Sequence, residues 1–166
     1  MKAKHMRGVY VVEFAIVGLL LFTLLFGVLE MGRLFFTVNA LNETVRRGAR
    51  LASVCEIHEP RILRRAIFNA AEDAGASSLI ASLETADLAL VYMDGNGGVV
   101  ASPSSPGVLG FSAIRYVQLR VENFTFDPLI PGLNGVFTLP PFQSTLPRES
   151  LGRHAEPDVV PEITPC

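Results

Sequence analysis

From Phe14 to Leu29 the chain carries sixteen consecutive residues without a charge, closed by Glu13 on one side and Glu30 on the other. A stretch that apolar has to be hidden in lipid or in a large core, and a chain of 166 residues has room for little of the second. At ~1.5 Å of rise per residue the run spans roughly 24 Å, short of the ~30 Å hydrocarbon core of a bilayer. Including Val9 to Val12 makes it long enough, and draws Glu13 into the apolar zone. A carboxylate there costs about 2.5–3.5 kcal/mol near mid-membrane and less near the edge. Nothing about anchoring requires that cost, so Glu13 is the first residue for which a function is sought.

Its surroundings narrow the choice. Lys2, Lys4 and Arg7 make a basic leader that Gly8 closes. Cleavage after Gly8 would place Glu13 fifth in the mature chain and give Val9 a new ammonium group. A buried carboxylate needs such a partner, and in a bundle of parallel anchors a neighbour's N-terminus can provide it. An ordinary secretory signal fits less well, because Glu30 and Arg33 stand between the apolar run and Val38-Asn39-Ala40. A lipoprotein site at Cys55 is too far from that run. A plain signal anchor leaves Glu13 unexplained. Charge leaves orientation open, since Arg33, Arg46, Arg47 and Arg50 follow the segment as Lys2, Lys4 and Arg7 precede it.

A basic leader, Gly8, four residues, Glu13, the aromatic Phe14 and an apolar helix together resemble a prepilin signal. The longer pattern Glu13-Phe14-Ala15, Glu30-Met31-Gly32-Arg33 and Arg46-Arg47-Gly48-Ala49-Arg50 resembles the TadE-like pseudopilins of the tight-adherence (Tad/Flp) pilus system. Phe124-Thr125-Phe126, the Pro-Leu-Ile-Pro turn and the segment before Arg148-Glu149 extend the likeness more diffusely. The resemblance implies a minor pilin working by assembly in adhesion and surface attachment. It implies processing by a prepilin peptidase between Gly8 and Val9, with Glu13 and Phe14 serving assembly. It also implies other pilus subunits and inner-membrane assembly proteins as partners. The N-terminus would be cytoplasmic, and the rest would lie outside the inner membrane or within the pilus. The alternative is a single-pass envelope protein with a small binding domain.

The expected architecture is α+β and pilin-like: a leader at 1–8, a membrane helix at 9–36, a domain at 37–146 and a loosely ordered tail at 147–166. Leu41, Val45, Gly48, Ala52 and Cys55 recur at helical spacing, which carries the first helix to about residue 56. A second helix starts at Pro60 and follows an alanine-rich stripe through Leu63, Ala66, Ile67, Ala70, Ala71 and Ala74. Arg61, Arg64 and Arg65 lie mostly off that stripe, as a solvated face or a phosphate site. Three to four antiparallel strands occupy about 86–146. Leu88 to Met93 is apolar on both faces, as in a covered strand. Asp94-Gly95-Asn96-Gly97-Gly98 is a turn that returns Val99 to Ala101 as its partner. Val117, Leu119 and Val121 alternate with polar residues, a bend falls near Asn123, and Pro140-Pro141 mark an edge.

The remaining candidates are local. Glu30 and Arg33, at i and i+3, form an ion pair at the outer membrane boundary. Cys55 and Cys166 are an even pair, compatible with one disulfide in an oxidising compartment. Cys55 and His58 would be helical neighbours, but no third group completes a nucleophile. Asp94 and Asn96 lack the acidic closing ligand of a calcium loop. The histidines are scattered, so the sequence points to neither an enzyme nor a cofactor or metal. A net charge of -2 without a basic domain face argues against nucleic acid.

Overall fold

The computed structural model describes residues 7–80, 82–130, 135–153 and 166. The fold is α+β: a long apolar helix, a second helix, a three-stranded antiparallel sheet and a two-stranded one. It divides into two compact units, one holding residues up to Phe36 with Phe126–Phe137, the other Thr37–Thr125 with Thr138–Cys166.

Helix α1 runs unbroken from Arg7 to Val54, 48 residues. Its residues up to Phe36 belong to the first unit, where nearly all of the apolar side chains face outward. Thr23 satisfies its hydroxyl by donating to the Leu19 carbonyl at 2.7 Å, as a helix in an apolar medium requires.

In the second unit the stripe read from the sequence is buried throughout: Leu41, Val45, Gly48, Ala52 and Cys55. The buried band also takes in Thr44, whose hydroxyl donates to the Ala40 carbonyl at 3.0 Å, which makes a polar side chain acceptable there. Gly48 permits the closest approach. A Cβ on it would overlap the Leu119 side chain and lie 2.9 Å from the Ala66 Cβ.

Strands β1 (Leu88–Met93), β2 (Tyr116–Val121) and β5 (Phe142–Pro147) form the sheet in the order β1-β2-β5, both pairings antiparallel. Val117, Leu119 and Val121 are buried. β1 differs from the expectation of a strand covered on both faces. Leu88 and Tyr92 are buried, while the residues between them remain half-exposed. The expected hairpin also shrinks to a single bridge, Met93 to Val99, and β1 takes β2 as its partner instead. Asn123 has φ 58, in the left-handed region asparagine tolerates, and there the chain leaves β2 for β3 (Thr125–Phe126). β3 pairs with β4 (Phe137–Thr138) in the small ribbon.

Helix α2 spans Pro60–Ala66, shorter than the expected 60–74. Phe68 turns left-handed at φ 68. Asn69 then binds the loop: its amide donates to the Gly75 and Ala76 carbonyls at 2.9 and 3.1 Å, and its oxygen accepts from Ser78 N at 2.9 Å. Asparagine competes for backbone partners in this way, and the three alanines beyond it offer too little volume to hold a helix against that competition.

The expected loose tail is likewise corrected for residues 148–153. Helices end with carbonyls that lack a partner. Here Ser53 O accepts from Glu149 N (3.0 Å) and Leu151 N (3.2 Å), and Val54 O accepts from Gly152 N at 2.7 Å. Leu151 is buried, with φ 48, and Gly152 follows at φ 76. The stretch 154–165 of the expected tail, and His154 with it, lies outside the described residues, as do Lys2, Lys4 and His5 of the leader.

Candidate functional site

The residues singled out in the apolar helix stand on α1 within the first unit. Gly8 is its second residue, exposed, with nothing among the described residues within 4 Å of where a Cβ would stand. Glu13 is exposed and makes no hydrogen bond or ion pair among the described residues. Phe14 beside it is 80% exposed. From Val9 to Leu29 the helix extends roughly 31 Å at ~1.5 Å per residue, which matches a ~30 Å hydrocarbon core and leaves Glu13 ~6 Å inside one face. Among the described residues α1 is the one helix long and apolar enough to cross a membrane, and its apolar window is buried against nothing in the chain. By length and composition α1 is compatible with a single-pass membrane anchor.

At the other end of the span, Arg33 Nη1 meets Glu30 Oε1 at 2.6 Å. The sequence foresees this pair, but not what each member touches besides. Glu30 Oε2 accepts from Leu129 N at 3.3 Å, and the Arg33 guanidinium lies 5.1 Å from the centre of the Phe126 ring. These contacts join residues about a hundred positions apart, so no local spacing signals them. They make the pair a tie between α1 and the Phe126–Phe137 segment.

In the second unit Cys55 and Cys166 are joined as a disulfide, with Cα atoms 5.8 Å apart. Cys55 is therefore not a thiol with His58 as its base. His58 instead donates its backbone N–H to the Tyr92 hydroxyl at 3.2 Å and sets its ring edge-on to the tyrosine. Burial pushes the Tyr92 hydroxyl above its ordinary pKa, and that hydrogen bond partly offsets the rise. The Asp94 carboxylate accepts from Asn96 N and Gly98 N, both at 2.8 Å, which makes it the organiser of its own turn. Among the described residues no cluster of three metal-ligating side chains occurs. Arg61 pairs with Glu72 at 3.1 Å and Arg64 donates to the Ala71 carbonyl, so these two α2 arginines brace the following loop. On the exposed side of α1, Glu43, Arg46, Arg47, Arg50 and Leu51 line a shallow hollow of about 300 Å³.

Geometry and chemistry thus place the informative residues on one helix, and likeness to known proteins falls there too. Residues 8–50 match the model of the family described as TadE-like protein. The apolar helix and its continuation are similar to that family. The match begins at Gly8, includes Glu13, Phe14, Glu30 and Arg33, and stops four residues before α1 ends. Outside it, from Leu51 on, the diffuse likeness in β2 to β5 rests on the sequence pattern alone. No curated protein and no solved structure matches the chain. The likeness is confined to residues 8–50, the part of the chain that holds the apolar helix.

Proposed function

We propose that this chain is a pseudopilin or minor pilin that takes part in building a Tad/Flp-type pilus, working by assembly rather than catalysis. The observation that carries this reading is Glu13. It is a carboxylate inside the apolar part of a TadE-like helix, exposed, and without a partner among the described residues. Its partner is the ammonium of Val9 on a neighbouring subunit, created when a prepilin peptidase cuts after Gly8. Phe14 packs beside it between subunits. The N-terminus lies in the cytoplasm and the folded domain outside the inner membrane. The Cys55–Cys166 bond supports that orientation, because disulfides persist in oxidising compartments. Other pilus subunits and inner-membrane assembly proteins are the partners.

The test is the N-terminus of the protein recovered from cells that contain its own peptidase. The native chain should begin at Val9, and Gly8→Leu should retain the leader by mass. Among the described residues nothing lies within 4 Å of a Cβ at Gly8, so the larger side chain meets none of them closely. Equal processing of the variant, or an intact Met1 in the native membrane protein, favours a signal-anchored envelope protein instead.

A further inference from the structure

The first unit contains an apolar surface that neither its own core nor the proposed assembly role uses. In the segment that follows β3, Leu129 is 71% exposed, Val136 64% and Phe137 50%. From 127 to 137 the one charged residue is Asp127, at its start. The segment is fixed where α1 leaves its apolar run, by Leu129 N on the Glu30 carboxylate and Phe126 under the Arg33 guanidinium. Leu129 and Phe126 thus stand at the level of Glu30 and Arg33, where the apolar run of α1 gives way to charge, and β4 with Phe137 pairs with the strand that holds Phe126.

We propose that Leu129, Val136 and Phe137 form a wedge that enters the outer interface of the membrane α1 crosses, with lipid as its occupant. Backbone chemistry favours this. An unpaired N–H in lipid is costly. Pro128 has none, Leu129 N has the Glu30 carboxylate, and Phe137 is in a strand ladder. Apolar side chains set to this depth, about 5–10 Å into the headgroup and acyl boundary, are how peripheral segments hold a membrane surface. The Glu30–Arg33 pair acquires a purpose beyond marking the water boundary: it fixes the wedge to the helix and so limits how far the span can slide or tilt. This inference rests on α1 spanning a bilayer and on no step of processing or pilus assembly.

The chain contains no tryptophan, so single reporters can be read without background. Leu129→Trp, Phe137→Trp, Leu20→Trp and Val99→Trp are each reconstituted as full chains in phosphatidylcholine vesicles. Lipids brominated near the headgroup or at mid-chain then act as quenchers. Leu20→Trp should be quenched best by mid-chain bromine, and Val99→Trp, in the exposed turn after β1, by neither. Leu129→Trp and Phe137→Trp should be blue-shifted and quenched best by bromine near the headgroup. Adding Glu30→Ala to Leu129→Trp should reduce that quenching while a Leu20→Trp, Glu30→Ala chain keeps its own. Quenching at Leu20 with neither wedge reporter quenched, and both open to aqueous acrylamide, overturns the proposal. Shielding from acrylamide that grows with the protein-to-lipid ratio, without lipid quenching, assigns the surface to a second copy and overturns it equally. Loss of quenching at Leu20 itself overturns the membrane span, and the wedge with it.

Discussion

Gly48 is where a single missing side chain decides how close α1 comes to its neighbours. A Cβ there would overlap the Leu119 side chain, which has some freedom to turn, and would lie 2.9 Å from the Ala66 Cβ, which has none. Gly48→Ala gains about 1 kcal/mol of helix propensity, yet overpacking a filled contact loses about 1–3 kcal/mol. The contact should win, lowering the thermal midpoint of the folded domain by several degrees in circular dichroism. Gly32→Ala in the same helix, where a Cβ meets nothing within 4 Å, should show no such loss. Combining Gly48→Ala with Ala66→Gly should cost less than the two single changes added together, because the rigid half of the clash is then gone. Strict additivity would mean that Ala66 does not set the distance. Thr44 offers the same lesson from the other side. Its burial beside Ala40 is invisible to a hydrophobic pattern, because its hydroxyl is satisfied by its own helix.

At the scale of the element, the proposed role belongs to α1, and Glu13 is the residue that tests it. A plain anchor should insert as well or better with Glu13→Leu, since an expensive carboxylate is replaced by an apolar side chain. A pseudopilin should insert equally well but lose its place in the complex, because a neighbour's ammonium would be left unpaired, at a cost of about 3–5 kcal/mol when buried. Glu13→Gln should fall between. Co-purification with other pilus subunits and a count of surface fibres read this out, with leader removal measured in parallel. Assembly of Glu13→Leu at the native level would leave Glu13 without a docking role. Much of α1 is legible in sequence because sixteen uncharged residues and a sustained helical spacing each encode one element locally. α2 is overextended on the same logic. Ala70, Ala71 and Ala74 keep the helical period, but period without volume does not outweigh Asn69 and its three loop hydrogen bonds. Val99 and Val100 form a plausible hairpin return beside the Asp94 turn, yet β1 pairs with Tyr116–Val121. Which of two suitable strands wins is decided by the core that both must share, and local text does not carry that. The tie from Glu30 to Leu129 is missed for the same reason, being a contact between distant segments.

For the whole molecule, the deciding feature is where the chain comes back to the end of its long helix. Ser53 and Val54 present the carbonyls that α1 leaves unpaired, residues 149–152 fill them, and Leu151 enters the core beside Ala52. The Cys55–Cys166 bond closes that return covalently over a sequence separation of 111. A loop of that size gives close to 5 kcal/mol in a chain-entropy model, and about 2–4 kcal/mol is typical of measured bridges. The bond acts mainly on the unfolded chain, where the hydrogen bonds to Ser53 and Val54 are absent and restrain nothing. Cys166→Ala is the cleaner probe, since Cys55 is fully buried and its replacement would also alter the core. The variant should fold with a lower thermal midpoint. Reductant should bring the native protein down to the same midpoint and leave the variant where it is. Peptide mapping without reductant should recover Cys55 and Cys166 in one linked fragment from protein exported through the membrane. Protein held in a reducing cytoplasm should instead yield two free thiols. Free thiols in the exported protein would show that the bond is not made where the domain resides. Among the described residues, the hydrogen-bonded return of 149–152 would then hold that end of the chain to α1.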